Sequence, residues 1–441
     1  MIKSVQSDLF TTAQRLSELF STQPVSGDSS IPWKRREGIE RELSFALGIR
    51  DKHVCVDGPS GSGKTSLVQR ILVREKVPFI HIQISSDWDW PAFTRQFIDI
   101  PSATSEKSES YSKGFLNIFK PGIEVGAHKM QEYNRLDALN IIDKESSLWN
   151  SSDLSEWIEK SELVLVVDDL EQASEEILDK LAAVSKRLGQ SSVGKVVFIG
   201  IDDVMKKLLS RNTSLNRRMI EITVGGLANV GESSSFIFDK FKEVGILTPN
   251  TDAKVSATDA QICRDMIYDA ANGLMKDLND LGMSLARSAE NRTRLSVADI
   301  KKGCRKFIDD VRRSNRQRIL GISRVLQMNP SYLDVFGFLI QKPSSSIIAF
   351  ADISQYLSGA YREEEIESAL DFLSSEGIVA VTGVEEIKVF FRDPPLFNCI
   401  RIHLLRGKDY GWDLQKNPSF LPTFGQLTLG LLGGRKTEKP D

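Results

Sequence analysis

The feature that most constrains this chain is eight residues long: Gly58-Pro59-Ser60-Gly61-Ser62-Gly63-Lys64-Thr65, followed by Ser66. It fits the pattern G-x-x-x-x-G-K-(S/T), which a chain of this length would match by accident roughly 2% of the time at average composition. Its surroundings narrow the reading further. The apolar run His53-Val-Cys-Val56 precedes it, and Leu67, Val68, Ile71 and Leu72 follow at helical spacing. A strand, a glycine-rich loop and a helix in that order make a cradle for a phosphate. Glycines let successive backbone N–H groups turn inward, and the helix offers the positive end of its dipole. Lys64 is placed to reach the β- and γ-phosphates, and the Thr65 hydroxyl to hold Mg2+.

A second segment completes that chemistry. Glu162-Leu-Val-Leu-Val-Val-Asp168-Asp169 is an apolar strand ending in two carboxylates, about 100 residues after the loop. Asp168 stands where a strand-end aspartate holds Mg2+, so the metal set read from the sequence is Thr65 and Asp168. Asp169 occupies the next place, where a carboxylate orients the attacking water, and Glu171 is a nearby alternative base. The cofactors expected are therefore ATP and Mg2+.

The apolar period changes along the chain. Short runs at His53–Val56, Phe79–Ile84, Leu163–Val167, Lys195–Ile201 and Ile220–Val224 read as buried strands, with helical patterns at 64–74, 174–188 and 203–210 between them. Strands alternating with helices predict an α/β layer with a parallel sheet. A serine-rich stretch, 101–114, reads as a loop, and Phe115–Val125 as a small hairpin. Residues 228–325 are helical in pattern. A third pattern follows: helices at Tyr332–Ile340, Phe350–Leu357 and Arg362–Glu376, then strands at Ile378–Thr382 and Ile387–Phe391. That is the order of a winged helix. The expected division is an N-terminal helical extension (1–30), an α/β core (31–227), a helical lid (228–325), a winged helix (326–405) and a flexible tail (406–441).

The four cysteines (Cys55, Cys263, Cys304, Cys399) form no C-x-x-C pair and read as buried thiols; the histidines (His53, His81, His128, His403) are scattered and read as structural. No apolar run approaches the roughly 20 residues of a membrane span, and the N-terminus lacks the apolar stretch of a secretory signal. A cytoplasmic chain without a membrane partner is expected. With a formal charge of −3, no global field announces a nucleic-acid partner, but basic residues far outnumber acidic ones between Arg287 and Arg324. That segment suits DNA phosphates, or equally a solvated face or an acidic neighbour in an oligomer. The third helix of the last pattern, Arg362-Glu-Glu-Glu-Ile-Glu, is acidic and repels phosphates.

Five segments resemble a known family. Arg36-Glu-Gly-Ile-Glu-Arg-Glu-Leu is similar to the GRExEL segment that enters the ATPase domain of origin-recognition-like AAA+ proteins and STAND ATPases. Lys195-Val-Val-Phe-Ile-Gly-Ile201 resembles their fourth core strand, with Asp202 at the sensor-1 place. Ser214-Leu-Asn-Arg217-Arg218 resembles the segment whose arginine reaches a neighbour's γ-phosphate, with Arg218 as fallback. Asn272-Gly273-Leu-Met falls where bacterial members carry a lid motif, with Lys276 the cation nearest the sensor-2 place. Phe391-Arg-Asp-Pro-Pro-Leu396 resembles the end of their winged helix.

The resemblance covers roughly residues 31–404. It implies a P-loop AAA+ ATPase core followed by an α-helical lid and a winged helix, with Lys64, Asp168, Asp169, Glu171 and Arg217 catalytic. It also implies a homo-oligomer with a protein effector or partner, in anti-phage defence or a mobile element. The expected activity is an ATP-driven switch, ATP hydrolysis resetting it. The alternatives are a DNA-binding loader or transposition regulator, and a nearly inactive nucleotide-binding scaffold, since Asp169 is one methylene shorter than the usual glutamate.

Overall fold

The computed structural model describes residues 14–20, 36–98, 123–126, 149–189, 194–201, 208, 213–227, 229–288, 293–326, 329–342, 346–382, 387–393 and 395–400. Six strands form one sheet: β1 (His53–Asp57), β2 (Phe79–Gln83), β3 (Ile123–Gly126), β4 (Val164–Asp168), β5 (Lys195–Ile199) and β6 (Met219–Thr223). Their order is β3-β2-β4-β5-β1-β6. All neighbours run parallel except β3, which lies antiparallel to β2. The chain is thus an α/β fold with a parallel sheet and many helices, which fits a P-loop core.

The sheet is covered on both faces, which is why its strands read as continuous apolar runs rather than as alternation. On one side α1 (Glu37–Gly48) and α2 (Lys64–Arg74) pack Leu43, Leu67, Ile71 and Leu72 against Val54, Val56, Val166 and Val197. On the other, α3 (Trp90–Ile98), α4 (Ser151–Lys160) and α5 (Glu175–Leu188) pack Phe93, Phe97, Trp157 and Leu181 against Cys55, Ile80, Leu165 and Phe198. Helix ends follow their sequence signals. Asn150 and Asp153 form a reciprocal capping box on α4, and the Ser174 hydroxyl caps α5. Each such cap contributes about 1 kcal/mol.

Five more helices follow: α6 (Val230–Glu243), α7 (Ala257–Ala271), α8 (Met275–Ser288), α9 (Val297–Ser314) and α10 (Arg316–Leu326). α6 to α9 share a core with Leu16 from a short helical segment at 14–19 and Phe20 from the turn that ends it. Beyond them α11 (Pro330–Leu339), α12 (Phe350–Leu357) and α13 (Glu363–Ser375) surround a small antiparallel sheet ordered β7-β9-β8, from Ile347–Ala349, Lys388–Phe391 and Val379–Thr382. Asn398 ties this unit to α7, its side-chain amide donating to the carbonyls of Asp269 (2.5 Å) and Ala270 (2.8 Å).

Two details differ from the sequence reading. The hairpin expected at 115–125 contributes β3, which begins at Ile123; the residues before it are outside the described ones. β7 carries no strand signal of its own, because three residues become a strand only by pairing with β9. The serine-rich stretch 101–114, nearly all of the helix expected at 203–210, and the tail at 406–441 lie outside the described residues. All four cysteines are buried free thiols. Among the described residues no helix is long and apolar enough to cross a membrane.

Candidate functional site

The loop leaves the carboxyl end of β1 between β5 and β6. The next strand in sequence, β2, lies three places away, beyond β5 and β4, so the chain reverses direction beside β1. Such a crevice at the strand ends is where open parallel sheets take ligands. Gly58 is required there by space and conformation together. Its φ is +137°, and a Cβ would sit 2.3 Å from the Val224 carbonyl oxygen. Gly61, at φ +79°, lies under α8, where a Cβ would come within 2.8 Å of the Lys276 Cβ. The Lys276 backbone N–H donates to the Gly61 carbonyl at 3.1 Å, so the lysine nearest the expected sensor-2 place is seated on the loop.

Lys64 opens α2 and is buried. Its ammonium donates to the carbonyls of Gly58 (2.9 Å) and Pro59 (3.1 Å). Burial pulls its pKa down; Asp168, Glu171, Asp57 and Asp169 act the other way. Thr65 donates its hydroxyl to Asp168 Oδ2 at 2.6 Å, across from the end of β4. The sequence-predicted pair is therefore brought side by side. Burial raises the Asp168 carboxyl, but hydrogen bonds from His81, Thr65 and the Asp169 N–H hold it below the ordinary carboxylate value.

Asp169 turns the chain in the left-handed region (φ 54°), a conformation a short polar side chain tolerates. Its carboxylate accepts from Gln83 Nε2 at 2.6 Å. Glu171 lies in the following 3-10 turn, and its Oε2 accepts the Ile201 N–H at 3.1 Å. Burial raises both carboxyls above their usual values. Arg217 is not brought to this cluster. It precedes β6 at the opposite end of the sheet, and its carbonyl accepts from the Lys52 ammonium. His53–Asp57 separates it from the loop by roughly 13 Å of strand. Arg218 is engaged with the end of α5, donating to the Lys186 carbonyl at 2.8 Å. Asp202 lies outside the described residues.

Four side chains at the site escaped the sequence reading. His81, read as structural, has Nε2 3.1 Å from Asp168 Oδ2, and Gln69 Nε2 lies 3.3 Å from its Nδ1. Gln83 holds Asp169. The available signal was the alternation Phe-Ile-His-Ile-Gln in β2, which sets 81 and 83 on one face, beside the strand that ends in Asp168. Arg36 is the fourth. Buried at 9% exposure, it donates from Nη1 to the carbonyls of Ser62 and Gly225, both at 2.9 Å. It thus links the loop to the segment after β6.

These residues fit a nucleotide phosphate with Mg2+. The loop and a buried ammonium suit an anion. Thr65 and Asp168 are hard oxygen donors, the kind Mg2+ takes in ones and twos beside phosphate oxygens. Among the described residues there is no cluster of three His, Cys, Asp or Glu that could cage a metal by itself.

No family model matches the sequence, and no curated protein matches it. Among solved structures the chain is similar to the Walker-type ATPase PABY2304 of Pyrococcus abyssi, at 16% identity over 87% of this chain and 100% of that one, with a TM-score of 0.49. It is also similar to the Aeropyrum pernix ORC1 protein solved in complex with DNA, at 12% identity over 84% and 93%, TM-score 0.38. Cdc6p from Pyrobaculum aerophilum matches at 16% identity over 89% and 98%, TM-score 0.40.

Proposed function

We propose that the chain is an AAA+-type P-loop ATPase that binds ATP with Mg2+ and uses nucleotide state to control its own assembly or a partner protein. The observation that carries this reading is the meeting of the Lys64 loop with the Thr65–Asp168 pair at 2.6 Å. Lys64 and the loop amides would hold the phosphates. Thr65 and Asp168 would hold Mg2+, which would supply positive charge beside the phosphate oxygens. Asp169 and Glu171, raised by burial, are the bases within reach to orient a water. Each already accepts a hydrogen bond, which supports slow rather than fast hydrolysis.

The seat of Lys276 on Gly61 supports a switch, since a change at the loop is felt directly by the helical unit. Arg217, exposed and remote from its own loop, is proposed to act on a neighbouring copy, so assembly would complete the site. The pathway expectation, anti-phage defence or a mobile element, rests on the family resemblance alone.

A second reading, a DNA-binding loader, is favoured by one observation. Lys302, Arg305, Lys306 and Arg313 are exposed along α9. One set of measurements tests both. Nucleotide affinity and phosphate release are compared between the wild type and Lys64→Ala. Mass in solution is measured with and without a non-hydrolysable ATP analogue and DNA. Equal nucleotide binding by both proteins would defeat the ATPase reading. Binding without phosphate release would leave a scaffold. A monomer under all conditions would remove assembly and DNA loading together.

A further inference from the structure

We propose that His81, fixed by Gln69, is a positioning residue that presents Asp168 to the magnesium ion. The inference rests on reading Thr65 and Asp168 as the magnesium pair.

Two elements, α2 and β2, converge on Asp168. α2 carries Thr65 at its first turn and Gln69 one turn later, so both point from the same helical face. β2 lies against β4 in the register Gln83↔Asp168 and His81↔Val166. The result is three buried side chains in a row: Gln69, His81 and Asp168.

Proton placement follows from chemistry. An ionised carboxylate only accepts, so the ring Nε2 carries the hydrogen and donates to Asp168 Oδ2 at 3.1 Å. In the neutral ring Nδ1 is then an acceptor, and the partner it meets is the Gln69 amide nitrogen at 3.3 Å. Gln69 therefore selects the tautomer that donates to Asp168. Oδ2 also accepts the Thr65 hydroxyl, and Oδ1 accepts the Asp169 N–H at 2.9 Å. The hydroxyl hydrogen can rotate away when the Thr65 oxygen is needed for a cation. The imidazole cannot turn without giving up Gln69. His81 is thus the side-chain donor that keeps the carboxylate oriented whatever Thr65 does.

His53 in the same sheet shows what a merely structural histidine looks like. Its Nε2 lies 2.7 Å from the Ser185 carbonyl, and its Nδ1 accepts the Val196 N–H at 3.1 Å, both of them backbone groups. The hydrogen-bond partners of His81 among the described residues are side chains, one of them the acidic group at the strand end.

Partners of this kind behind a metal ligand typically change metal affinity by about 10- to 100-fold when removed. The test is a Mg2+ titration of binding of a fluorescent ADP derivative to the full chain, as wild type, His81→Leu, His81→Asn and Gln69→Leu. Each is repeated in EDTA. Expected is a rise of about tenfold in half-saturating Mg2+ for His81→Leu, with unchanged affinity in EDTA. Gln69→Leu, which keeps the imidazole, moves the same way by less, and His81→Asn, which keeps an amide donor, recovers part of the loss. Unchanged half-saturating Mg2+ in the variants overturns the proposal. So does an equal loss with and without Mg2+, which would mark a packing role. If His81→Leu does not fold, Gln69→Leu decides alone by the same criterion. A wild type whose binding ignores Mg2+ would instead overturn the magnesium reading itself, and the control arm shows that directly.

Discussion

Replacing Arg36 by Met separates the loop's conformation from its chemistry, because Arg36 donates to carbonyl oxygens of the loop. The Ser62 and Gly225 carbonyls would each lose a charged donor at 2.9 Å. A buried acceptor left without its partner costs about 1–3 kcal/mol, so two cost about 2–6. Against that stands the penalty of burying the guanidinium, which pulls its pKa down from the ordinary arginine value to about 10. At 1.36 kcal/mol per unit this is about 3 kcal/mol, recovered when the charge is removed. Arg36→Met is therefore expected to change stability by between a gain of about 1 and a loss of about 3 kcal/mol. Arg36→Lys is expected to lose more, since it keeps a buried charge, now a more strongly hydrated ammonium on a shorter side chain.

Nucleotide affinity should fall in both variants. If the loop's binding arrangement is disfavoured by about 1–2 kcal/mol, apparent affinity drops about 5- to 30-fold. Urea unfolding and a nucleotide titration measure the two effects. Lysine proving milder than methionine in unfolding, or affinity unchanged in both, would refute the reasoning.

Lys64→Ala should abolish measurable nucleotide binding in calorimetry while leaving the melting temperature within a few degrees, since Lys64 holds only loop carbonyls. Gly58→Ala should cost more than the roughly 1–2 kcal/mol of a left-handed residue, because its Cβ meets the Val224 backbone; a thermal melt within a degree of wild type would contradict that. Asp277 is buried and pushed up to about 8, by burial first and Asp280 next. Its folded pKa lies above the unfolded value near 3.9, so its contribution is full in acid and is lost as pH rises through 8. Asp277→Asn should therefore raise the melting temperature at pH 9 and change it little at pH 4, read by differential scanning calorimetry.

What could be read beforehand was whatever is written in consecutive residues. The loop, its flanking strand and helix, and the acid pair ending β4 each announce themselves in fewer than a dozen positions. Five strands lie within two residues of expectation, because both faces of the sheet are covered and burial leaves an unbroken apolar run. What escaped depends on pairing between distant segments. His81 differs from His53 only in what the neighbouring strand presents, and that is set by the β2–β4 register. Arg36 belongs to a recognised segment, yet its bond to Gly225 spans 189 positions. Single-sequence periodicity contains neither fact.

The segment from Thr223 to Leu227 draws these observations together. The Val224 carbonyl limits Gly58 to glycine, and the Gly225 carbonyl receives Arg36. The Leu227 N–H donates to the Gly273 carbonyl at 2.8 Å, at the turn that starts α8, and α8 in turn sits on Gly61. The Thr223 hydroxyl meets Lys388 Nζ at 3.3 Å, on a strand of the C-terminal unit. Five residues thus touch the loop, the helical unit and the small sheet. Packed interiors shift between discrete arrangements rather than deforming smoothly. A loop that moves by even a fraction of an ångström must therefore either strain this segment or carry α8 and β9 with it. Under the proposed function, that mechanical constraint would give the chain a way to report what its loop holds.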